Sequence, residues 1–142
     1  MTAKILVVDD IAANVKLLQA RLSAEYYEVA TAANGPDALA ICAQGGIDLV
    51  LLDIMMPGMD GYEVCRRLKA EPRTAEIPVI FLTAKVQVED EEKGLKLGAV
   101  DYITKPISPP IVLARVETHL ALKNARQFLK DRNAFLEAEV QR

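Results

Sequence analysis

Cysteine and histidine are scarce in this chain of 142 residues, which contains only Cys42, Cys65 and His119. The cysteines lie far apart on segments typical of helices, and no cysteine or histidine spacing typical of a metal site occurs. A domain of this length buries about 68–70% of its unfolded surface, so it needs neither a disulfide nor a structural metal to fold. We expect two free, buried or half-buried thiols in a reducing compartment, and a histidine at the surface or in an interface.

Long apolar runs and dense positive charge are also absent. No apolar run approaches the ~18 residues of a bilayer span, and 17 basic against 20 acidic residues give a net charge of −3 without a basic cluster suited to nucleic acid. The N-terminal stretch MTAKILVVDD resembles neither a secretory signal nor a transit peptide. These absences predict a cytoplasmic protein with no membrane span and no nucleic-acid site in this segment.

Two hydrophobic periods alternate along the first 120 residues. Short aliphatic and β-branched runs predict five strands, at residues 5–8, 28–31, 49–52, 79–82 and 100–103. Between them apolar residues recur every three or four positions, which is typical of amphipathic helices. Strands that alternate with helices predict the α/β class, a doubly wound five-stranded parallel sheet with helices on both faces.

Polar residues follow four of the predicted strands. Asp9 and Asp10 follow the first strand, Asp53 the third, Thr83 the fourth and Lys105 the fifth. The carboxyl ends of parallel strands share one edge, where ligands of such sheets bind. Packed carboxylates repel one another unless a hard cation with oxygen ligands neutralises them, and Mg²⁺ is the natural candidate.

The same residues suggest phosphoryl chemistry. With Mg²⁺ and Lys105 holding phosphate oxygens, an ionised Asp53 could attack phosphorus and form an aspartyl phosphate, while Thr83 contacts the new phosphoryl group. Taken singly, each residue has a plainer explanation: a solvated Asp-Asp turn, a helix-capping threonine, a lysine-proline surface turn. The combination at successive strand ends favours a functional site.

Four segments, ILVVDD, LVLLDIMMPGMDGYE, PVIFLTA and GAVDYITKP, resemble the response-regulator receiver domain of two-component signalling, over residues 4–120. The resemblance implies a (βα)5 flavodoxin-like fold, Asp53 as phosphoacceptor from a histidine kinase or phosphotransfer protein, and Thr83 with Lys105 as phosphate contacts. It implies that Asp9, Asp10, Asp53 and the Met55 backbone carbonyl bind Mg²⁺, and that the Lys105–Pro106 bond is cis. Tyr102 matches an aromatic that swings inward with Thr83 on activation, although it could also simply pack at a strand end.

The C-terminal segment predicts an extended helix that starts near Ser108-Pro109-Pro110 and runs to the end of the sequence. We assign residues 1–122 to the receiver and 123–142 to a helical linker. Leu122, Leu129 and Leu136 recur every seven residues, which favours a coiled-coil homodimer over a helix that folds back on its own domain. An output domain is expected to follow, and two segments resemble regulators of cyclic-di-GMP turnover: residues 9–29 resemble receivers that precede diguanylate cyclases, and residues 118–140 resemble linkers before HD-GYP-type phosphodiesterases.

The sequence thus predicts a phosphorylation-activated receiver that is not itself an enzyme. One alternative is a constitutive dimerisation module whose aspartates merely bind a cation. Another is a small-molecule phosphohydrolase that works through an aspartyl phosphate, but Met55 stands where that class has its second aspartate, and no insertion provides a substrate cap.

Overall fold

A computed structural model describes residues 2–84 and 88–140, with the side chains of all of these except 88–91, 135 and 137–140. Strands and helices alternate as the sequence predicts. The strands are β1 Lys4–Val8, β2 Glu28–Ala32, β3 Leu49–Asp53, β4 Val79–Thr83 and β5 Asp101–Thr104. The helices are α1 Ala12–Ala24, α2 Gly35–Ala43, α3 Gly61–Ala70, α4 Val88–Lys96 and α5 Pro109–Val140.

All five strands pair in parallel, in the order β2-β1-β3-β4-β5. The doubly wound parallel sheet is therefore confirmed, and each observed strand begins and ends within one residue of the predicted bounds. Strands β3 and β4 extend one residue further than predicted, so that Asp53 and Thr83 are the last residues of their strands. From β1 the chain goes outward to β2 and then crosses back over β1 to reach β3, which places the reversal of strand order between β1 and β3.

Two apolar cores, one on each face of the sheet, hold the helices in place. Because alternate residues of a strand point to opposite faces, Leu49 and Leu51 pack with α1 and α5, whereas Val50 and Leu52 pack with α2 and α3. Both cysteines belong to the second of these cores and are free and buried, as predicted. Burial raises the pKa of each thiol to about 11, which keeps it protonated and unreactive at neutral pH.

Helix α5 begins at Pro109, as the proline pair predicts, and continues for 32 residues. Val112, Val116 and Leu120 anchor its first part in the core. Lys123, half-buried, donates to Asp48 Oδ1 at 3.1 Å. Beyond Lys123 every described side chain of α5 is exposed. Within residues 2–84 and 88–140, no helix combines the length and the apolar character that crossing a bilayer demands.

His119 is more covered than the sequence predicts. Its side chain is only 12% exposed, and Nε2 lies 2.9 Å from Asp101 Oδ2 at the start of β5. Arg115 Nη1 donates to the same oxygen at 2.8 Å. The single histidine therefore belongs to an ion cluster that ties α5 to β5.

Candidate functional site

Three carboxylates meet where strand order reverses. Asp9 and Asp10 directly follow β1, Asp53 ends β3, and the register places Val8 beside Leu52 across the two strands. One carboxylate oxygen of each aspartate lies within 4.8 Å of one oxygen of each of the others. Asp9 and Asp53 are 1% exposed, whereas Asp10 is open to solvent. The group thus combines two buried acids with one that faces water.

Asp9 is held by hydrogen bonds from the start of α1. The Ile11 N–H donates to Asp9 Oδ1 at 2.9 Å, and Asn14 Nδ2 donates to Oδ2 at 3.1 Å. Lys105 Nζ lies 3.5 Å from the same Oδ2. These three donors account for a buried carboxylate that would otherwise be costly to desolvate.

Asp53 has a more strained electrostatic environment. Burial is the main cause that raises its pKa, and the nearby charge of Asp9 raises it further. Two contacts oppose this effect: Lys105 Nζ lies 3.2 Å from Asp53 Oδ1, and the Met55 N–H donates to the same oxygen at 3.3 Å. The Asp53 carboxylate thus has one close cation, Lys105, which offsets only part of its repulsion from the Asp9 carboxylate.

Lys105 is positioned by its link to β4. Its N–H donates to the carbonyl of Thr83 at 2.7 Å, and Thr83 pairs with Thr104 in the sheet. The Lys105–Pro106 bond is cis, as the resemblance implied. Thr83 is 5% exposed and Lys105 is 20% exposed in its side chain, so both reach the carboxylate edge from a largely buried position.

The β3–α3 loop passes very close to β3. A Cβ at Gly61 would overlap the Asp53 carbonyl oxygen and lie 2.8 Å from Ile54 Cα. The Gly61 N–H donates to the Ile54 carbonyl at 2.9 Å, and Asp60 caps α3 by accepting from the Glu63 N–H at 2.9 Å. Glycine is therefore what allows the start of α3 to press against the end of β3. Met55, in the same loop, exposes 74% of its surface.

An aromatic row runs across the sheet beside the carboxylates. Phe81, fully buried on β4, has its ring centroid 5.4 Å from that of Tyr62 on α3 and 5.4 Å from that of Tyr102 on β5. A Cβ at Gly94 would overlap the Tyr102 hydroxyl, so the ring packs directly on the backbone of α4. Tyr102 is half-buried in this arrangement.

The family model described as "Response regulator receiver domain" matches residues 5–117. The chain belongs to this family. It is 52% identical over 134 residues to "Response regulator PleD" of Caulobacter vibrioides, an alignment that covers 94% of this chain and 30% of that protein. It is 51% identical over 138 residues to a "Probable cyclic di-GMP phosphodiesterase" of Vibrio cholerae, covering 97% of this chain and 31% of that protein.

Solved structures agree with the fold of this receiver domain. The chemotaxis protein CheY4 of Vibrio cholerae matches it with a TM-score of 0.80 at 30% identity, covering 83% of this chain and 98% of that one. The chain spans less than a third of the length of the two curated relatives above. The flavodoxin-like receiver fold and the relationship to cyclic-di-GMP regulators, both expected from the sequence motifs, are thus confirmed.

The fold of the receiver domain brings together Asp9, Asp10, Asp53 and Lys105, which lie up to 96 residues apart in sequence. Thr83 joins them through its carbonyl contact with Lys105, and Tyr102 lies beside Phe81 in the adjoining aromatic row.

Sequence reasoning missed two residues that shape this site. Asn14 reaches Asp9 from the first turn of α1, and its only sequence signal is its place five residues after Asp9. Gly61 closes the MMPGMDG turn, and the run of turn residues after a buried strand could have indicated a close backbone approach.

Proposed function

We propose that this receiver domain is a phosphorylation switch in which Asp53 accepts a phosphoryl group from a histidine kinase or a phosphotransfer protein. The observation that carries the proposal is the environment of Asp53: a buried carboxylate 3.2 Å from the Lys105 ammonium and grouped with two further aspartates. A merely structural aspartate has no need of two further acids beside it, since like charges in a buried site are unfavourable.

The donor set fits Mg²⁺. Asp9, Asp10 and Asp53 offer three carboxylate oxygens within 4.8 Å of one another, and hard oxygen ligands are those that Mg²⁺ prefers. The pKa of Asp53 is raised by burial and by Asp9, an unfavourable balance that a bound cation would relieve. We assign Asp9, Asp10, Asp53 and the Met55 backbone carbonyl as ligands. When bound, the cation would supply charge neutralisation for the phosphoryl oxygens.

The chain's own residues then have distinct parts in the transfer. An Asp53 oxygen attacks phosphorus, the bond from phosphorus to the donor nitrogen or oxygen breaks, and the donor atom leaves with the electron pair. Lys105, already 3.2 Å from Asp53, would bind a phosphoryl oxygen and balance its charge. Thr83, at the end of the neighbouring strand, would donate its hydroxyl to another phosphoryl oxygen.

The switch would pass from Thr83 to the aromatic row. Thr83 lies two residues beyond Phe81 on β4, and Tyr102 packs against Phe81. Movement of Thr83 toward a phosphoryl group would change the space available to the Tyr102 ring, and thereby the surface formed by α4, β5 and α5. The measurable consequence is a shift in the population of two packings of this face.

The C-terminal helix would carry the signal onward. Among the described side chains of α5, Leu120 is the last in the core and Lys123 the last that is half-buried, which supports a receiver of residues 1–122 and a linker of residues 123–142. Leu122, Leu129 and Leu136 are 50%, 57% and 49% exposed, so we assign this stripe to a homodimeric coiled coil. By analogy with the Vibrio cholerae relative, whose name is that of a probable cyclic di-GMP phosphodiesterase, the output would be cyclic-di-GMP turnover. The unpaired thiols accord with the cytoplasm.

Intact-protein mass after incubation with acetyl phosphate, with and without Mg²⁺, tests the proposal. We expect one Mg²⁺-dependent phosphoryl adduct in the wild-type chain and in the control Asp131→Asn, whose carboxylate lies on the exposed part of α5, and none in Asp53→Asn. An adduct retained by Asp53→Asn would contradict the site assignment. No adduct from either acetyl phosphate or a phosphohistidine donor, with Mg²⁺ binding intact, would favour a constitutive dimerisation module.

A further inference from the structure

A cleft of about 610 Å³ opens directly beside the carboxylate group. It is lined by Asp10, by the loop residues from Ile54 to Gly58, and by Asp60, the residue that caps α3. Tyr62 on α3 and Lys93 on α4 complete the lining, and Lys93 is the one cation among these residues. The cleft therefore joins the proposed phosphoryl site to a cationic side chain on a different helix.

Lys93 is held at the wall of this cleft by an aromatic face. Its Nζ lies 4.3 Å from the centroid of the Tyr62 ring, a cation–π contact that orients the ammonium group without neutralising its charge. The side chain is exposed. An anion in the cleft would thus meet one oriented positive charge in a lining that also contains the carboxylates of Asp10 and Asp60.

Phosphoryl transfer requires such a space. In an in-line displacement the leaving group departs on the side of phosphorus opposite the attacking atom. The buried Asp53 carboxylate is grouped with Asp10, and Asp10 lines the cleft. The three grouped aspartates repel an anionic leaving group. The Lys93 ammonium in the cleft would offset part of that repulsion for donors whose leaving group carries a negative charge.

We propose that this cleft receives the leaving group of a small acyl phosphate and that Lys93 is its carboxylate contact. The inference rests on the proposed phosphorylation of Asp53. An Asp53 oxygen forms a bond to phosphorus, the bond from phosphorus to the acyl oxygen breaks, and the carboxylate departs with that electron pair toward Lys93. No proton is consumed. A donor such as phosphoramidate releases neutral ammonia, so its leaving group carries no negative charge for Lys93 to stabilise.

The test compares two donors on three proteins. Initial rates of Asp53 phosphorylation by acetyl phosphate and by phosphoramidate would be measured by intact mass, at fixed Mg²⁺ and at two ionic strengths. The proteins are wild type, Lys93→Gln, and Lys96→Gln, a matched exposed lysine on α4 that does not line the cleft. An exposed charge contact predicts that Lys93→Gln slows acetyl phosphate about three- to fivefold at low salt. The phosphoramidate rate and both rates of Lys96→Gln stay within about twofold of wild type.

Each outcome decides between the two proposals. Selective slowing with acetyl phosphate, which fades as salt rises, supports the leaving-group cleft. Equal slowing with both donors, or none with either, overturns it while leaving Asp53 as acceptor. No adduct in wild type from any donor rejects the proposed function itself.

Discussion

Replacing Gly61 by alanine should damage both the stability and the chemistry of this domain, because the start of α3 has no space for a side chain. The new Cβ would overlap the Asp53 carbonyl oxygen and lie 2.8 Å from Ile54 Cα. Ordinary contacts begin at 3.4 Å, so the two backbones must separate by more than about 0.6 Å, which is the kind of overpacking that costs ~1–3 kcal/mol.

The separation also weakens the hydrogen bond that the Gly61 N–H donates to the Ile54 carbonyl at 2.9 Å, which contributes about 1 kcal/mol. Together these effects predict a loss of about 2–4 kcal/mol and a fall in melting temperature of roughly 6–16 °C. The displaced backbone carries Asp53 and Met55, so phosphorylation by acetyl phosphate should slow at least about tenfold. A misplacement of about 1 Å at a reacting group can reduce a rate by about a hundredfold.

The assay is thermal unfolding followed by circular dichroism, alongside the phosphorylation rate well below the melting temperature. Gly45→Ala is the matched control: its φ of +86° strains any side chain, yet a Cβ there meets nothing within 4 Å and the residue is remote from the carboxylates. It should lose ~1–2 kcal/mol and keep the wild-type rate. The reasoning is refuted if Gly61→Ala melts within about 2 °C of wild type, or if it is destabilised but phosphorylated at the wild-type rate.

Two further predictions concern α5. Burial raises the pKa of Asp101, but hydrogen bonds from His119, Arg115 and the Tyr102 N–H outweigh burial and hold the pKa below its ordinary 3.8. The charged carboxylate therefore stabilises the fold above pH 3.8, and this stabilisation is lost as the pH falls through the lowered pKa. Asp101→Asn should therefore melt about 3–6 °C lower than wild type at pH 7, for a loss of ~1–2 kcal/mol. This difference in melting temperature should shrink as the pH falls below ~4. A difference that stays constant down to pH ~3 would contradict the assignment. For the linker, sedimentation velocity should show a concentration-dependent dimer that becomes more stable on phosphorylation. The dimer should be lost in Leu129→Glu but kept in Ala134→Glu, whose substitution lies on the opposite helix face. Identical sedimentation of the two variants would refute the coiled coil.

Much of the fold was predictable because its signals are local. A parallel strand covered on both faces must be apolar throughout, so LVLLD and VIFLT reveal β3 and β4 without any knowledge of their partners. Pro109 marks the start of α5 for an equally local reason, since proline lacks the N–H that the helix interior requires. The candidate site followed from the fold class, because parallel strands bring their polar ends to one edge.

Contacts between remote segments escaped prediction. Asn14 holds Asp9 only because α1 starts at the right angle to β1. His119, which the sequence placed at the surface or in an interface, is largely covered because α5 packs that turn against the start of β5, where Asp101 lies. In both cases the partner is set by how a helix crosses the sheet, and hydrophobic period alone does not specify this angle.

The sequence by itself determined the alternation of strands and helices, the parallel sheet, the aspartates, threonine and lysine at the strand ends, and the start of the last helix. Each of these depends on residue type and spacing along the chain. Only the tertiary structure decided that Asp53 is buried 3.2 Å from Lys105, that Gly61 is pressed against the end of β3, and that Tyr62 and Lys93 line the same cleft as Asp10. These distances arise from the packing of helices against a twisted sheet, in which side chains far apart in sequence compete for the same volume.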